Sequence, residues 1–167
     1  MKNKHKKFSK IFDQHISKIY RFVYLKVDSK EIAQDICSET FLRCWKVYRS
    51  KDNKIENSQA FLYQIARNLV IDFYRKREKT RTIPIEDCPE TNDPNINIEE
   101  EAILASDVDS IKKALTTLKD NYQDVIIWHY LDDLSITETA KLLDKTEETT
   151  RVLLHRALKA LREKIKV

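Results

Sequence analysis

Apolar side chains recur at three- and four-residue steps through most of the chain, the spacing that gives a helix one buried face. The first such run predicts a helix over 9–27 with Phe12, Ile16, Ile19, Phe22 and Val23 inward. Asp28-Ser29 interrupts it, and Ser29 can cap a second helix that carries Ile32, Ala33, Ile36, Thr40 and Phe41 on its way to Tyr48. The polar stretch SKDNKIEN, residues 50–57, reads as a loop. Ser58 then caps a long third helix, 59–79, with Leu62, Ile65, Ala66, Leu69 and Phe73 inward. The cationic RKREK at its end suits the negative pole of the helix dipole. Ahead of all this, 1–7 reads as a mobile basic tail.

The pattern breaks between Thr80 and about Ser106, which holds all three prolines, an Asn-rich TNDPNIN and an acidic EEE, and reads as an extended or disordered linker. Beyond it, 108–118 and 122–131 are helical segments, with Tyr122, Trp128 and Tyr130 as core. They lead into a helical hairpin. Ser135 with Glu138 three residues on forms a capping box, and Ile136, Ala140 and Leu143 give the short helix an apolar face. Asp144-Lys145 leaves room for a tight turn, and Thr146 caps a last helix whose Leu154, Leu158, Leu161 and Ile165 form a buried stripe. Arg151, His155, Arg156, Lys159 and Arg162 lie off that stripe. Two helices, a tight turn and a basic outer face describe a helix-turn-helix. Any amphipathic hairpin with a solvated charged face shows the same spacing, so periodicity alone leaves both readings open. The expected fold is all-α: two small helical domains, 1–79 and 108–167, joined by a flexible acidic linker at 80–107, the second domain a helix-turn-helix.

Composition narrows the function classes. The 167 residues include no glycine, so a Gly-rich phosphate loop is excluded. No apolar run approaches the ~18 residues of a membrane span, and the basic amino terminus has no apolar region behind it, so neither insertion nor a signal peptide is expected. The three cysteines are odd in number and suit a reduced cytoplasm. Cys37 and Cys44 read as buried small residues, and with the histidines scattered no metal site or cofactor is expected. Neither a nucleophile–base pair nor an HExxH motif is visible, so the chain is not expected to be an enzyme in its own right. The net charge of +4 divides sharply: +10 over 1–79, −7 over 80–108 and +1 over 109–167. A basic amino-terminal part suggests a polyanion partner, because neutralising phosphates releases counterions.

Three segments resemble one family. DICSETFLRCWKVY, residues 35–48, is similar to the DLVQETFLRAWR-like signature of extracytoplasmic-function (ECF) sigma factors, the small bacterial promoter-specificity subunits. FLYQIARNLVIDFYRKR, residues 61–77, resembles that family's WLYRIARNLAIDYLRRR pattern, and LLDKTEETTRVLLHRALKAL, residues 142–161, falls on its ILGISVGTVKSRLHRARKRL segment. The three come in the family's order with an acidic linker between them.

The resemblance implies roles. The second helix would dock on RNA polymerase core, at the clamp helices of the largest subunit, through Asp35, Ser38, Glu39, Leu42 and Arg43. A solvated surface with internal Glu39–Arg43 pairing would show the same residues on that face. The next loop and helix would bind the minus-ten promoter element and a flipped nontemplate base through Lys51, Asn53, Lys54, Asn57, Gln59, Tyr63, Arg67, Asn68, Arg75 and Lys76. Aromatic faces that stack on unpaired bases and cations that hold the backbone make this chemically coherent. The second domain would meet the flap of the second-largest subunit and read the minus-thirty-five element through Thr149, Arg151, Val152, His155, Arg156 and Lys159. Val152, Leu153 and Leu158 are apolar where the family is polar or cationic. The linker would thread toward polymerase channels or serve as a spacer. An anti-sigma factor is an expected partner. Two other readings remain: a helix-turn-helix regulator binding duplex DNA alone, and a polymerase-binding adaptor that has lost promoter reading.

Overall fold

In the computed structural model, residues 2–51, 55–80 and 109–165 are described, and among them every regular element is helical. The helices are α1 (Lys2–Lys26), α2 (Lys30–Arg49) and α3 (Ser58–Thr80), then α4 (109–116), α5 (Asp120–Ile126), α6 (Ile136–Leu143) and α7 (Glu147–Ile165). The acidic stretch expected to be a linker, 80–107, lies outside the described residues apart from Thr80.

Helices α1 to α3 pack as a three-helix unit around Ile19, Phe22, Val23, Ala33, Ile36, Phe41, Leu62, Ala66 and Val70, all buried. These follow the apolar stripes read from the spacing, except that on α3 Val70 is buried where Ile65, Leu69 and Phe73 were expected and are only half-buried, and that Phe12 is not enclosed. Phe12 lies edge-on to Phe41 with ring centroids 4.8 Å apart, yet 40% of it stays exposed, because it sits at the rim of the α1–α2 contact. Cys37 and Cys44 are buried, and burial pushes both thiols up to about 11.

The basic amino terminus is not a mobile tail: α1 begins at Lys2. Its first turns are anchored on the end of α2, where His5 and Phe8 lie 4.6 and 5.0 Å from Trp45, Phe8 lies 5.6 Å from Tyr48, and Lys4 Nζ donates to the Arg49 carbonyl at 3.2 Å. That last bond satisfies a carbonyl at the C-terminal end of a helix, which has no partner within the helix itself. Ser29 caps α2, accepting from the Ile32 amide. At α3 the cap is Asn57, one residue earlier than expected, since its Oδ1 accepts from the Ala60 amide at 3.0 Å.

In the second unit, α5 runs on through a single π turn, Ile127–Leu131, which buries Ile127 and Trp128 and turns Tyr130 outward. Trp128 is therefore core as expected, and Tyr130 is not. The hairpin follows the expected design. Ser135 Oγ accepts from the Glu138 amide at 3.1 Å, Ala140 is buried where α6 meets α7, and Thr146 Oγ1 accepts from the Thr149 amide at 3.2 Å. Leu154 and Ala157 face the core, whereas Ile165, the last apolar position on the expected stripe, is exposed beyond the end of the packed region.

Asp144 closes α6 in the left-handed region, with φ 54° and ψ 47°. A Cβ there costs about 1–2 kcal/mol relative to glycine, while the Lys145 amide bonds the Ala140 carbonyl at 3.0 Å. Asp144→Gly should therefore raise the unfolding free energy by about 0.5–1 kcal/mol in urea titrations.

The two helical units also touch one another. Phe22 of α1 stacks on Trp128 at 5.6 Å with 13° between the rings, and Tyr63 of α3 meets both edge-on at 5.5 and 5.7 Å. One apolar core runs through both units.

Candidate nucleic-acid interface

On α2, burying Ala33, Ile36, Cys37, Thr40 and Phe41 leaves the opposite side to solvent. Asp35, Ser38, Leu42 and Arg43 are exposed and Glu39 is half-buried. Leu42, 47% exposed, is the apolar member of an otherwise polar stripe. Arg43 Nε donates to Glu39 Oε1 at 2.7 Å, and that bond holds the Glu39 carboxyl below the usual carboxylate range. Such an exposed i,i+4 pair adds only ~0.3–0.5 kcal/mol to a helix. The stripe is thus not explained by internal stability.

The loop and α3 are more divided. Asn53 and Lys54 lie outside the described residues. Lys51 is exposed and Asn57 is engaged as the α3 cap. Asn68, Arg75 and Lys76 are exposed, Gln59 and Arg67 half-buried. Tyr63 is fully buried, and its hydroxyl donates to Asp132 Oδ2 from the second unit. Burial, with Asp132 acting the same way, pushes this phenol well above its ordinary value. Arg67 Nε donates to Asp124 Oδ2 at 2.7 Å and its Nη2 to Asn121 Oδ1 at 3.0 Å. Of the expected minus-ten set, then, one end of α3 faces solvent while Tyr63 and Arg67 are turned into the second unit. Tyr74 donates its hydroxyl to the Lys26 carbonyl, and burial raises its phenol to about 12.

On α7, Thr149, Arg151, Val152, His155, Arg156 and Lys159 are all exposed. Arg151 reaches Glu147 at 3.3 Å, a surface pair that leaves the guanidinium free to exchange partners. Val152, 50% exposed, makes this face partly apolar.

The residues missed from the sequence are Arg21, Lys26, Asn121, Asp124 and Asp132. Lys26 and Asp124 form an ion pair whose side chains are both fully buried, with the ammonium also 5.0 Å from the centre of the Phe22 ring. Burial holds the Asp124 carboxyl above the usual carboxylate range, against the pull of Lys26 and Arg67. Arg21 bridges Asp132 and the Leu131 carbonyl. A signal was present. Lys26 falls one helical step beyond Phe22 on the α1 stripe, and Asp124 abuts the apolar run Val125–Trp128. A charge in either place has to be paired.

Comparison with known proteins agrees with this architecture. The family model for Sigma-70 region 2 matches residues 11–80, and that for Sigma-70, region 4 matches 108–161. The chain is 27% identical over 154 residues to the ECF RNA polymerase sigma factor BldN of Streptomyces coelicolor, covering 92% of this chain and 58% of that protein. It is 28% identical over 160 residues to the ECF sigma factor SigX of Bacillus subtilis, covering 93% and 82%. Among solved structures, the sigma factor RpoE in complex with the anti-sigma factor NepR from Bartonella quintana superposes with a TM-score of 0.67 over 97% of this chain and 98% of that one, at 20% identity, a likeness of fold. Fold and both matched regions define a promoter-specificity subunit of RNA polymerase. The chain belongs to the sigma-70 family, in its ECF group.

Proposed function

We propose that this alternative sigma factor docks on RNA polymerase core through the α2 stripe and directs initiation by reading two promoter elements. The observation that carries the docking assignment is the exposed Leu42 among Asp35, Ser38, Glu39 and Arg43, on a helix whose other side is fully committed to the core. A small apolar centre with a charged rim is the composition of a transient protein interface. The single-strand role falls to α3, where Asn68, Arg75 and Lys76 offer an amide and cations, and where Tyr63 and Arg67 complete an aromatic and cationic set once they are free. The duplex role falls to α7, entering the major groove with Arg151, His155, Arg156 and Lys159, while Val152 offers the apolar contact that a thymine methyl takes. The chain acts as a specificity subunit and not as an enzyme. No described helix is long and apolar enough to cross a membrane, in keeping with work in the cytoplasm. RpoE of Bartonella quintana was solved with its anti-sigma factor, and a partner of that kind is proposed here too.

Docking is tested by replacing Asp35 and Glu39 together with alanine. Affinity for core polymerase should fall roughly ten-fold or more, as for loss of hot-spot contacts, with the helical circular dichroism unchanged. Unchanged affinity would remove the stripe from the interface. Arg151→Ala should weaken binding to promoter duplex by the holoenzyme and reduce the salt slope by about one phosphate contact. An unaltered slope would mean that Arg151 does not touch the backbone.

A further inference from the structure

The amino-terminal unit carries a concavity that none of the three assigned faces uses. It lies where the first turns of α1 meet the end of α2, and Lys4, His5, Trp45, Lys46, Arg49 and Lys51 line it. Of these only Lys51 belongs to the proposed minus-ten set. Its volume, about 730 Å³, falls within the range of an ordinary small-ligand site. One wall is aromatic. The half-buried Trp45 is held among other rings, with His5 at 4.6 Å, Phe8 at 5.0 Å and Tyr48 at 6.3 Å between centroids. The rim is cationic: Lys4, Lys46, Arg49 and Lys51 are all exposed, and among the described residues none that lines the pocket is acidic. Lys4 donates to the Arg49 carbonyl at 3.2 Å, which fixes its ammonium at the rim without neutralising it. The helix poles that meet here oppose one another, positive for α1 and negative for α2, so the pull on an anion comes from the side chains.

An uncharged ring would leave these cations with water alone, and a bare inorganic anion would leave the indole wall wet. A ring joined to a polyanion satisfies both, stacking on the aromatic and taking charge-assisted hydrogen bonds from lysine and arginine. We infer that this pocket binds a free nucleoside triphosphate, its base against Trp45 and its phosphates held by Lys4, Lys46 and Arg49. A nucleic-acid strand offers the same ring and phosphate, but it spaces one phosphate per base. Several cations around a single aromatic wall match a ligand that carries three phosphates on one base. Because every base has a π-face, the pocket is tolerant of base identity. Lys46 lies three residues beyond Arg43 on α2, so a bound nucleotide sets its charge beside the surface proposed for core polymerase.

The test uses the full chain with Trp128→Phe, which leaves Trp45 as the sole tryptophan, and titration calorimetry on the unaltered chain reads the same affinity without that change. ATP should quench Trp45 saturably, with half-saturation below about 1 mM at low salt. Adenosine and inorganic tripolyphosphate, each supplying half of the chemistry, should bind roughly ten-fold more weakly or worse. Lys46→Ala with Arg49→Ala should weaken ATP roughly ten-fold or more with the helical circular dichroism unchanged, since both side chains are exposed. Lys30→Ala with Lys113→Ala removes the same charge at exposed positions away from the pocket and should cost far less. Tripolyphosphate binding as tightly as ATP, equal losses in the two charge pairs, or neither quenching nor heat would overturn the site. A random-sequence single-stranded oligonucleotide at equal phosphate concentration should quench Trp45 less than ATP does. Stronger quenching by the oligonucleotide, lost on Lys46→Ala with Arg49→Ala, would give the pocket to a strand and overturn the nucleotide assignment.

Discussion

Trp128→Ala should lower the unfolding free energy by about 3–5 kcal/mol, the range for deleting a large buried aromatic. For a chain of this size that corresponds to a fall in Tm of about 10 °C. The indole is buried and touches two rings at once, stacking on Phe22 and meeting Tyr63 edge-on, so truncation opens a cavity where both units meet. Trp128→Phe should cost far less. The Nε1–H donates to nothing among the described residues, so removing it breaks no hydrogen bond, and a phenyl ring can keep the stack on Phe22. Urea and thermal unfolding followed by circular dichroism distinguish the two substitutions. Equal losses would mean that the indole N–H has a partner, contrary to the geometry described.

Lys26→Met should cost about 3 kcal/mol by the same measurement, since breaking one side of a buried pair strands the other charge. Asp124 would then keep only Arg67, whose side chain is 27% exposed. Lys26→Met combined with Asp124→Leu should recover most of that loss, because two apolar groups of similar volume need no pairing. The cost of the single change has a ceiling: once the units separate, Asp124 is rehydrated, so no strain at this pair can exceed the free energy of opening. A double-mutant cycle between Lys26 and Asp124 therefore measures how firmly the units are held. Additive losses would show that the two residues do not interact.

Much of this architecture was readable from the spacing of apolar residues. Helices α1 to α3 and the α6–α7 hairpin each bury a stripe at three- and four-residue steps, and the caps at Ser29, Ser135 and Thr146 are local bonds that a short window contains. What escaped the spacing depends on partners far along the chain. The helical start at Lys2 relies on Trp45, Tyr48 and the Arg49 carbonyl. Tyr130 points outward because a π turn shifts the register, which no periodicity of 3.6 reveals.

The interfaces were legible in the same uneven way. Exposure of Asp35, Leu42 and Arg43, and of Arg151, His155 and Arg156, follows from their lying opposite a buried stripe. Tyr63 and Arg67 were legible as chemistry but not as position. An aromatic beside Leu62 and Ala66 packs as readily against a second unit as against a base. Asp132, which no spacing singled out, is buried and paired with Arg21 and Tyr63. In sequence a buried acid and a solvated one look alike, and only the cations and hydroxyls folded around it tell them apart.

The central claim is that this chain confers promoter specificity on RNA polymerase, and mapping transcript 5′ ends tests it most directly. Purified chain and bacterial core polymerase are incubated with fragmented genomic DNA, and start sites are compared with those from core alone. The account predicts discrete new starts that share two upstream elements and that disappear with Asp35→Ala/Glu39→Ala. Core bound without new starts, or duplex DNA bound by the chain alone with no effect on core, would contradict it.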